Sequence, residues 1–284
     1  MIQQFLAACV GAESGTGSGQ CSNLEIGDKK GIGLIRKGEK FTSLTKTSFE
    51  DLIENRKLHQ LLGVEDFEIA DAENEQFTSS QGFKKVIRGS KPTETLTFRK
   101  GMCFDKALAS LVSNGKYDLI QYFDKGVLVA TTKDGEFMKG FSLGMLDKAK
   151  FSHLSGGDPS NSKIMYQLVD SQELDLYWLF IPYTALDFDP LSYDGIIQTN
   201  INVVSNAGGV LTIEILDSCS GVDLTSLIPA VVGSFNLVGG TITTVALVGG
   251  NIEIAYTGTP TAVSLNVVQD ADENYYTSGS VFLA

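Results

Sequence analysis

Ser234 to Tyr256 reads SFNLVGGTITTVALVGGNIEIAY, and this stretch decides the fold class. Its β-rich runs Ser234–Val238, Thr241–Val248 and Asn251–Tyr256 are separated by Gly239-Gly240 and Gly249-Gly250. Paired glycines between short β-branched runs predict strands joined by tight turns. Working outward, Ile201–Val204, Val210–Leu216, Val263–Val268 and Gly279–Leu283 repeat the pattern, with Gly208-Gly209 between the first two. About seven short strands in roughly 90 residues predict a small immunoglobulin-like β-sandwich over residues 196–284. No Cys…Trp…Cys pattern accompanies them, and another sandwich topology fits nearly as well.

The preceding stretch Pro182 to Tyr193 (PYTALDFDPLSY) breaks the periodicity and places a domain boundary after residue 195. Upstream, Thr93–Phe98, Leu119–Phe123, Val127–Thr131 and Ile164–Val169 predict further strands, and Asp134-Gly135 a tight hairpin. Two helices are predicted among them. One begins at Thr47-x-x-Glu50, a capping-box pattern, and runs through Phe49, Leu52, Ile53, Leu61 and Leu62 to a stop at Gly63. The other spaces Phe104, Ala107, Leu108, Leu111 and Val112 along one face and ends at Asn114-Gly115. Residues 1–195 therefore predict a β domain packed by one or two helices, led by a Gly- and Ser-rich arm, residues 1–24.

Charge divides the chain. All 22 Lys and Arg lie at or before Lys163, whereas residues 164–284 hold 13 acids and no base. That C-terminal region cannot neutralise phosphates, so nucleic-acid binding there is excluded. A soluble acidic domain, or one displayed many times on a particle that must not adhere to polyanions, both fit. Residues 65–81 carry Glu65, Asp66, Glu68, Asp71, Glu73 and Glu75, just before the basic cluster Lys84, Lys85, Arg88 and Lys91. This predicts either a solvated loop beside a strand edge or a long loop reaching a neighbouring subunit, acid against base.

No apolar run is long enough to span a bilayer as a helix. Leu6-Ala7-Ala8-Cys9 has the form of a lipoprotein cleavage box but lacks a basic segment and a long apolar run before it, so a cytoplasmic product, or one released by lysis, is expected. Cys9, Cys21, Cys103 and Cys219 lack zinc-site spacing, and reduced, mostly buried thiols are expected. Cys103 precedes a helix, yet no His or acid adjoins it.

Catalytic signals are sparse. His59 borders the apolar face of the first predicted helix, and His153 lies in SHLSGGD without a nucleophile-elbow sequence. Asp187, Asp189 and Asp194 are weak candidates for a calcium ion, since hard cations take several oxygen ligands, but the spacing lacks a full loop pattern. An acidic linker is the plainer reading. No enzyme activity and no cofactor are expected.

The order of segments carries a resemblance: the Gly-rich arm, a capped helix, the acidic loop, Gly82-Phe83-Lys84-Lys85-Val86-Ile87-Arg88, Thr93-x-Thr95-Leu96-x-Phe98, the helix Phe104–Asn114, the Asp134-Gly135 hairpin and Phe141-Ser142-Leu143-Gly144-Met145. Over roughly residues 1–195 this layout resembles the major tail tube proteins of long-tailed bacteriophages, particularly those infecting Bacteroidetes hosts. The resemblance implies a β-barrel or sandwich with a flanking helix that assembles as hexameric rings stacked into a tube, a virion component made in the host cytoplasm. Its partners would be further copies of itself, the tail tip, tape measure and terminator proteins, and double-stranded DNA passing through the lumen, with no membrane involved. Arm and acidic loop would bridge rings, which makes Phe5, Glu65, Asp66, Phe67, Glu68, Phe77, Lys84, Lys85 and Arg88 the candidate intersubunit residues. An added immunoglobulin-like domain is similar to the outward decoration of non-contractile tails. Competing readings are a surface adhesin or binding module, and another virion component such as a head-decoration or tail-terminator protein.

Overall fold

β1 (Lys29–Arg36) is the strand around which the N-terminal unit is built: Ile32, Leu34 and Ile35 are fully buried. It pairs antiparallel with β2 (Leu58–Leu62) on one edge and β7 (Tyr117–Phe123) on the other. After Leu62 the chain turns at Gly63, whose φ of 75° suits glycine, and continues as β3 (Asp66–Ala70). Gly63 and Val64 donate their N–H groups to the Lys30 carbonyl, and Glu65 then donates to Thr97. One continuous segment thereby leaves the β1 side and joins β6 (Thr93–Phe98). β6 pairs with β11 (Ser162–Leu168), β11 with β10 (Phe141–Lys148), and β10 returns to β7 through Phe141 opposite Leu119 and Ser142 opposite Asp118. The pairings close a barrel.

A bulge between Leu143 and Met145 is the second corner, because it lets β10 serve β7 at its start and β11 along the rest. β8 (Gly126–Thr131) leaves the barrel from the far part of β7 and carries β12 (Trp178–Pro182) and the short β9 (Met138–Lys139). The barrel interior holds Leu61, Leu96, Phe98, Leu119, Phe141, Ile164 and Tyr166, with Leu108 from α2 (Gly101–Asn114) packed on it. Fully burying a leucine such as Leu108 contributes about 2–3 kcal/mol.

The computed structural model describes residues 27–70, 75–78, 84–88, 91, 93–114, 116–153, 159–169, 173–174, 177–193, 195–272 and 274–283. Two compact units divide the chain, residues 1–52 with 57–189 and residues 53–56 with 190–284. The arm, including Phe5, Cys9 and Cys21, lies outside the described residues.

The first helix is shorter than its apolar spacing predicts. α1 spans Lys46–Glu54, and its cap is Thr45, whose hydroxyl faces the Ser48 N–H while Ser48 Oγ accepts from the Thr45 N–H. The helix ends where Arg56 adopts a φ of 54°, with Arg56 N–H bonded to Ile53 and Lys57 N–H to Leu52. That is the left-handed stop usually made by glycine. Leu58, Leu61 and Leu62 then serve a strand, so His59 sits on β2 beside Tyr117, not on a helix.

In the second unit, β13 (Ile196–Ala207), β14 (Val210–Asp217), β15 (Phe235–Val248), β16 (Asn251–Leu265), β17 (Val268–Gln269) and β18 (Tyr275–Ser278) form one sheet in the order β15-β16-β14-β13-β18-β17, with β19 (Val281–Phe282) also on β16. Gly208-Gly209 and Gly249-Gly250 make the expected hairpin turns, all four at positive φ. Gly239-Gly240 does not turn the chain. These residues lie inside β15, where Gly240 faces Gly258 across the pair, and a Cβ on Gly239 would stand 2.7 Å from the Thr259 carbonyl oxygen. Close backbone approach bends the long hairpin, and both halves share one core containing Ile213, Ile252, Ile254, Phe235, Val263 and Leu265. The molecule is mainly β, as the sequence predicts.

Candidate assembly surface

Within residues 65–81, expected as a loop, Asp66–Ala70 and Glu75–Thr78 are strands. β3 pairs with β6 from Asp66 opposite Thr97 to Ala70 opposite Thr93. Beyond them β4 (Glu75–Thr78) pairs with β5 (Lys84–Arg88), and these two form a sheet of their own. Phe67 and Ile69 alternate with Asp66 and Glu68, a strand pattern that the density of acids obscures. The acidic and basic segments also meet within one chain: Glu75 lies opposite Arg88, and Phe77 opposite Lys85. Cross-strand register therefore accounts for part of the charge complementarity that suggested contact between subunits.

β3 is fastened to the barrel by a buried cation. Lys29 Nζ lies 2.5 Å from Glu94 Oε2 and donates to Tyr166 Oη at 2.9 Å, while Tyr166 Oη donates to the same Glu94 oxygen. Phe67 closes over the ammonium at 4.1 Å from the ring centroid. Burial lowers the Lys29 pKa, with Glu94 opposing that shift. Burial raises the Tyr166 pKa well above its ordinary value, and the Glu94 charge adds to it. These four contacts tie β1, β3, β6 and β11 together. Sequence reasoning missed them because Lys29 and Glu94 are 65 positions apart.

The structure separates the candidate intersubunit residues. Phe67 faces the barrel cluster instead of solvent. Asp66 and Glu68 are exposed on β3, whose only described partner strand is β6. Glu65 is exposed and pairs with Arg99 at 2.7 Å. Phe77 lies on β4, and Lys84, Lys85 and Arg88 on β5.

A second polar cluster sits where β7 forks to β8 and β10. Glu173 is buried and accepts from Lys139 Nζ, from Ser142 Oγ at 3.0 Å and from the Ser142 N–H at 2.7 Å. Opposite Ser142 lies buried Asp118, which accepts a long bond from the Gly38 N–H at 3.4 Å and leaves Oδ1 without a partner. Burial raises the Asp118 pKa.

The cation candidates are not assembled. Asp187 Oδ1 accepts from the Lys46 N–H at 2.9 Å, capping α1, and Asp194 lies outside the described residues. No group of three or more potential metal ligands occurs among the described residues, Asp189 included. The expected buried thiols are corrected as well: Cys103 and Cys219 are exposed and each is disulfide-bonded. Their sequence neighbourhoods gave no signal of pairing. His153 packs edge-on against Phe151 at 5.2 Å. No helix among the described residues is long and apolar enough to cross a membrane.

The fold thus defines a two-unit, mainly β protein with a closed barrel, a separate two-stranded β4–β5 sheet and a glycine-bent sheet. No protein-family model and no curated protein matches the chain. Among solved structures, a chain from the virion of a native gene transfer agent particle is similar over 44% of this chain and 90% of its own length, at 12% identity and a TM-score of 0.26. That likeness is too slight to carry the fold or the function.

Proposed function

We propose that this chain is a virion structural protein that assembles with copies of itself as stacked rings, hexameric in the resemblance, into a phage tail tube through which double-stranded DNA passes. The observation that carries the reading is the separate two-stranded β4–β5 sheet together with β3, which among the described residues is paired on one side only. Two-stranded hairpins are marginal in water, and an uncovered strand edge invites pairing with another chain. Contact with neighbouring copies would satisfy both. The net charge of −12 suits a wall that must not hold DNA, and the base-free residues 196–284 suit an outward, immunoglobulin-like decoration of a non-contractile tail. The role is structural, with no catalytic step.

Negative-stain microscopy of the full chain over a concentration series tests the proposal. Rings or tubes of uniform width are expected, and a variant whose residues 75–88 are replaced by a two-residue turn should melt like the parent yet stay monomeric. A parent that is monodisperse and monomeric at every concentration overturns the reading, as does tube growth without residues 75–88.

A further inference from the structure

The two ends of β1 differ in what surrounds them. Lys29 sits among Glu94, Phe67 and Tyr166 beside β3, and β1 ends about 25 Å away at Arg36, by the rise of an extended strand. At that far end backbone pairing gathers cations from three strands. Arg36 N–H donates to the Lys57 carbonyl at 2.7 Å, and Lys37 N–H donates to Lys116 at 2.9 Å. Lys57 is balanced by Glu39 at 3.1 Å. Arg36, Lys37 and Lys116 are exposed, and none has an ion-pair partner among the described residues.

Beside them opens a cavity of about 340 Å³ lined by Lys37, Tyr117 and the bulged run Leu143–Leu146. The bulge shapes this recess: Leu143 pairs with Leu168 and Met145 with Gln167, leaving Gly144 between them out of the ladder. A hollow with an aromatic wall, flanked by three exposed cations without a close ion pair among the described residues, suits an acidic extended segment.

We propose that the surface formed by Arg36, Lys37, Lys116 and this cavity receives the acidic β3 edge of a second copy, around Asp66 and Glu68. This deepens the assembly reading above and rests on it. Charge complementarity selects the occupant. Asp66 and Glu68 are exposed on a free edge beyond the opposite end of the barrel, so copies arranged head to tail bring donor and receptor together. Three acids of the second unit are already committed locally: Asp217 accepts from Cys219 and Ser220, Asp223 from Thr225, and Asp270 from Asn274 and Tyr276.

Charge reversal in the full chain, read by sedimentation and microscopy, tests the contact. The Lys37→Glu/Lys116→Glu variant and the Asp66→Lys/Glu68→Lys variant should each melt like the parent. Each should raise the concentration needed for stacked assemblies by about tenfold or more, as expected for close charged contacts, and that of the parent should rise with salt. Combining all four substitutions should restore stacking. If the parent forms tubes and the lysine variant stacks equally well, or the combination fails to rescue, this contact is wrong while the tube reading stands. If the parent never self-associates, both fall. Loss of binding to a short DNA duplex by the lysine variant, with stacking unchanged, would instead make the patch a polyanion site and overturn the proposal.

Discussion

Removing Glu94 should destabilise the barrel more than removing Lys29, although the two form one ion pair. Their side chains are 3% and 13% exposed, so solvent screening of the pair is slight. In Glu94→Ala the ammonium stays enclosed by Phe67, Phe123 and Tyr166 without its counter-charge. Leaving one member of a buried pair alone costs about 3–5 kcal/mol. Lys29→Met leaves the Glu94 carboxylate without its cation, but that carboxylate is the more exposed member of the pair and keeps the Tyr166 Oη hydrogen bond, so the loss should be smaller than in Glu94→Ala. Trp178 is the chain's one tryptophan and sits on β12, so its fluorescence in urea reports on the barrel unit. With a slope of about 2 kcal/mol/M, the Glu94→Ala midpoint should fall by about 1.5–2.5 M. The pH dependence has a definite sign. Because burial lowers the Lys29 pKa, the folded chain sheds this proton while the unfolded chain, near 10.5, still holds it, and stability rises with pH across that interval. Tyr166 opposes this above about pH 10, where the unfolded phenol ionises and the folded one does not. As pH rises from the lowered Lys29 pKa towards 10.5 the parent should therefore gain on Lys29→Met. Equal losses in Lys29→Met and Glu94→Ala, or parallel pH profiles in parent and Lys29→Met, would refute the argument.

Two other substitutions probe separate elements. Asp118→Asn should stabilise the barrel by about 1 kcal/mol at neutral pH, because it removes a buried carboxylate with an unpartnered oxygen. The raised Asp118 pKa makes parental stability fall as pH climbs from 3.8 through the folded value, and urea titrations of the variant should lack that component. Gly239→Ala combines a φ of 81° with a Cβ 2.7 Å from the Thr259 carbonyl oxygen, and should cost about 1–3 kcal/mol by calorimetry of the full chain. Gly249→Ala, at a φ of 59° with no atom within 4 Å of the added Cβ, should cost only about 1 kcal/mol, and a reversed order would refute the bend.

Local periodicity was legible where one rule applied. Leu108 and its helical neighbours, Thr93–Phe98, and the Gly208-Gly209 and Gly249-Gly250 turns follow from spacing and glycine chemistry. The sequence misled where two readings shared a pattern. Leu58, Leu61 and Leu62 satisfy helical spacing and a buried strand equally, and the stop that separates them is made by Arg56, a residue with no turn signature. Gly239-Gly240 has the composition of a turn, but only pairing with Gly258 reveals a bend. Of the candidate assembly residues, exposed Asp66 and Glu68 could be read from charge. The roles of Lys29, Tyr166 and Phe67 could not, since they depend on barrel closure between distant segments.

The distribution of cations narrows how copies can meet. No Lys or Arg follows Lys163, so residues 164–284 offer no basic partner to an acidic edge such as Asp66 and Glu68. Any cation serving that edge comes from the first 163 residues, where Lys29, Lys30, Lys57, Arg99, Lys139 and Lys148 are already held in ion pairs. Arg36, Lys37 and Lys116 have no ion pair among the described residues and are brought together by backbone pairing of neighbouring segments. A contact between two different surfaces leaves one copy of each open after every addition, so it propagates until it closes on itself or is capped. An acidic edge and a basic receptor at opposite ends of one barrel form such a contact. The same arrangement would keep residues 164–284 out of the growing interface, because they have acids to repel the edge and no cation to replace the receptor.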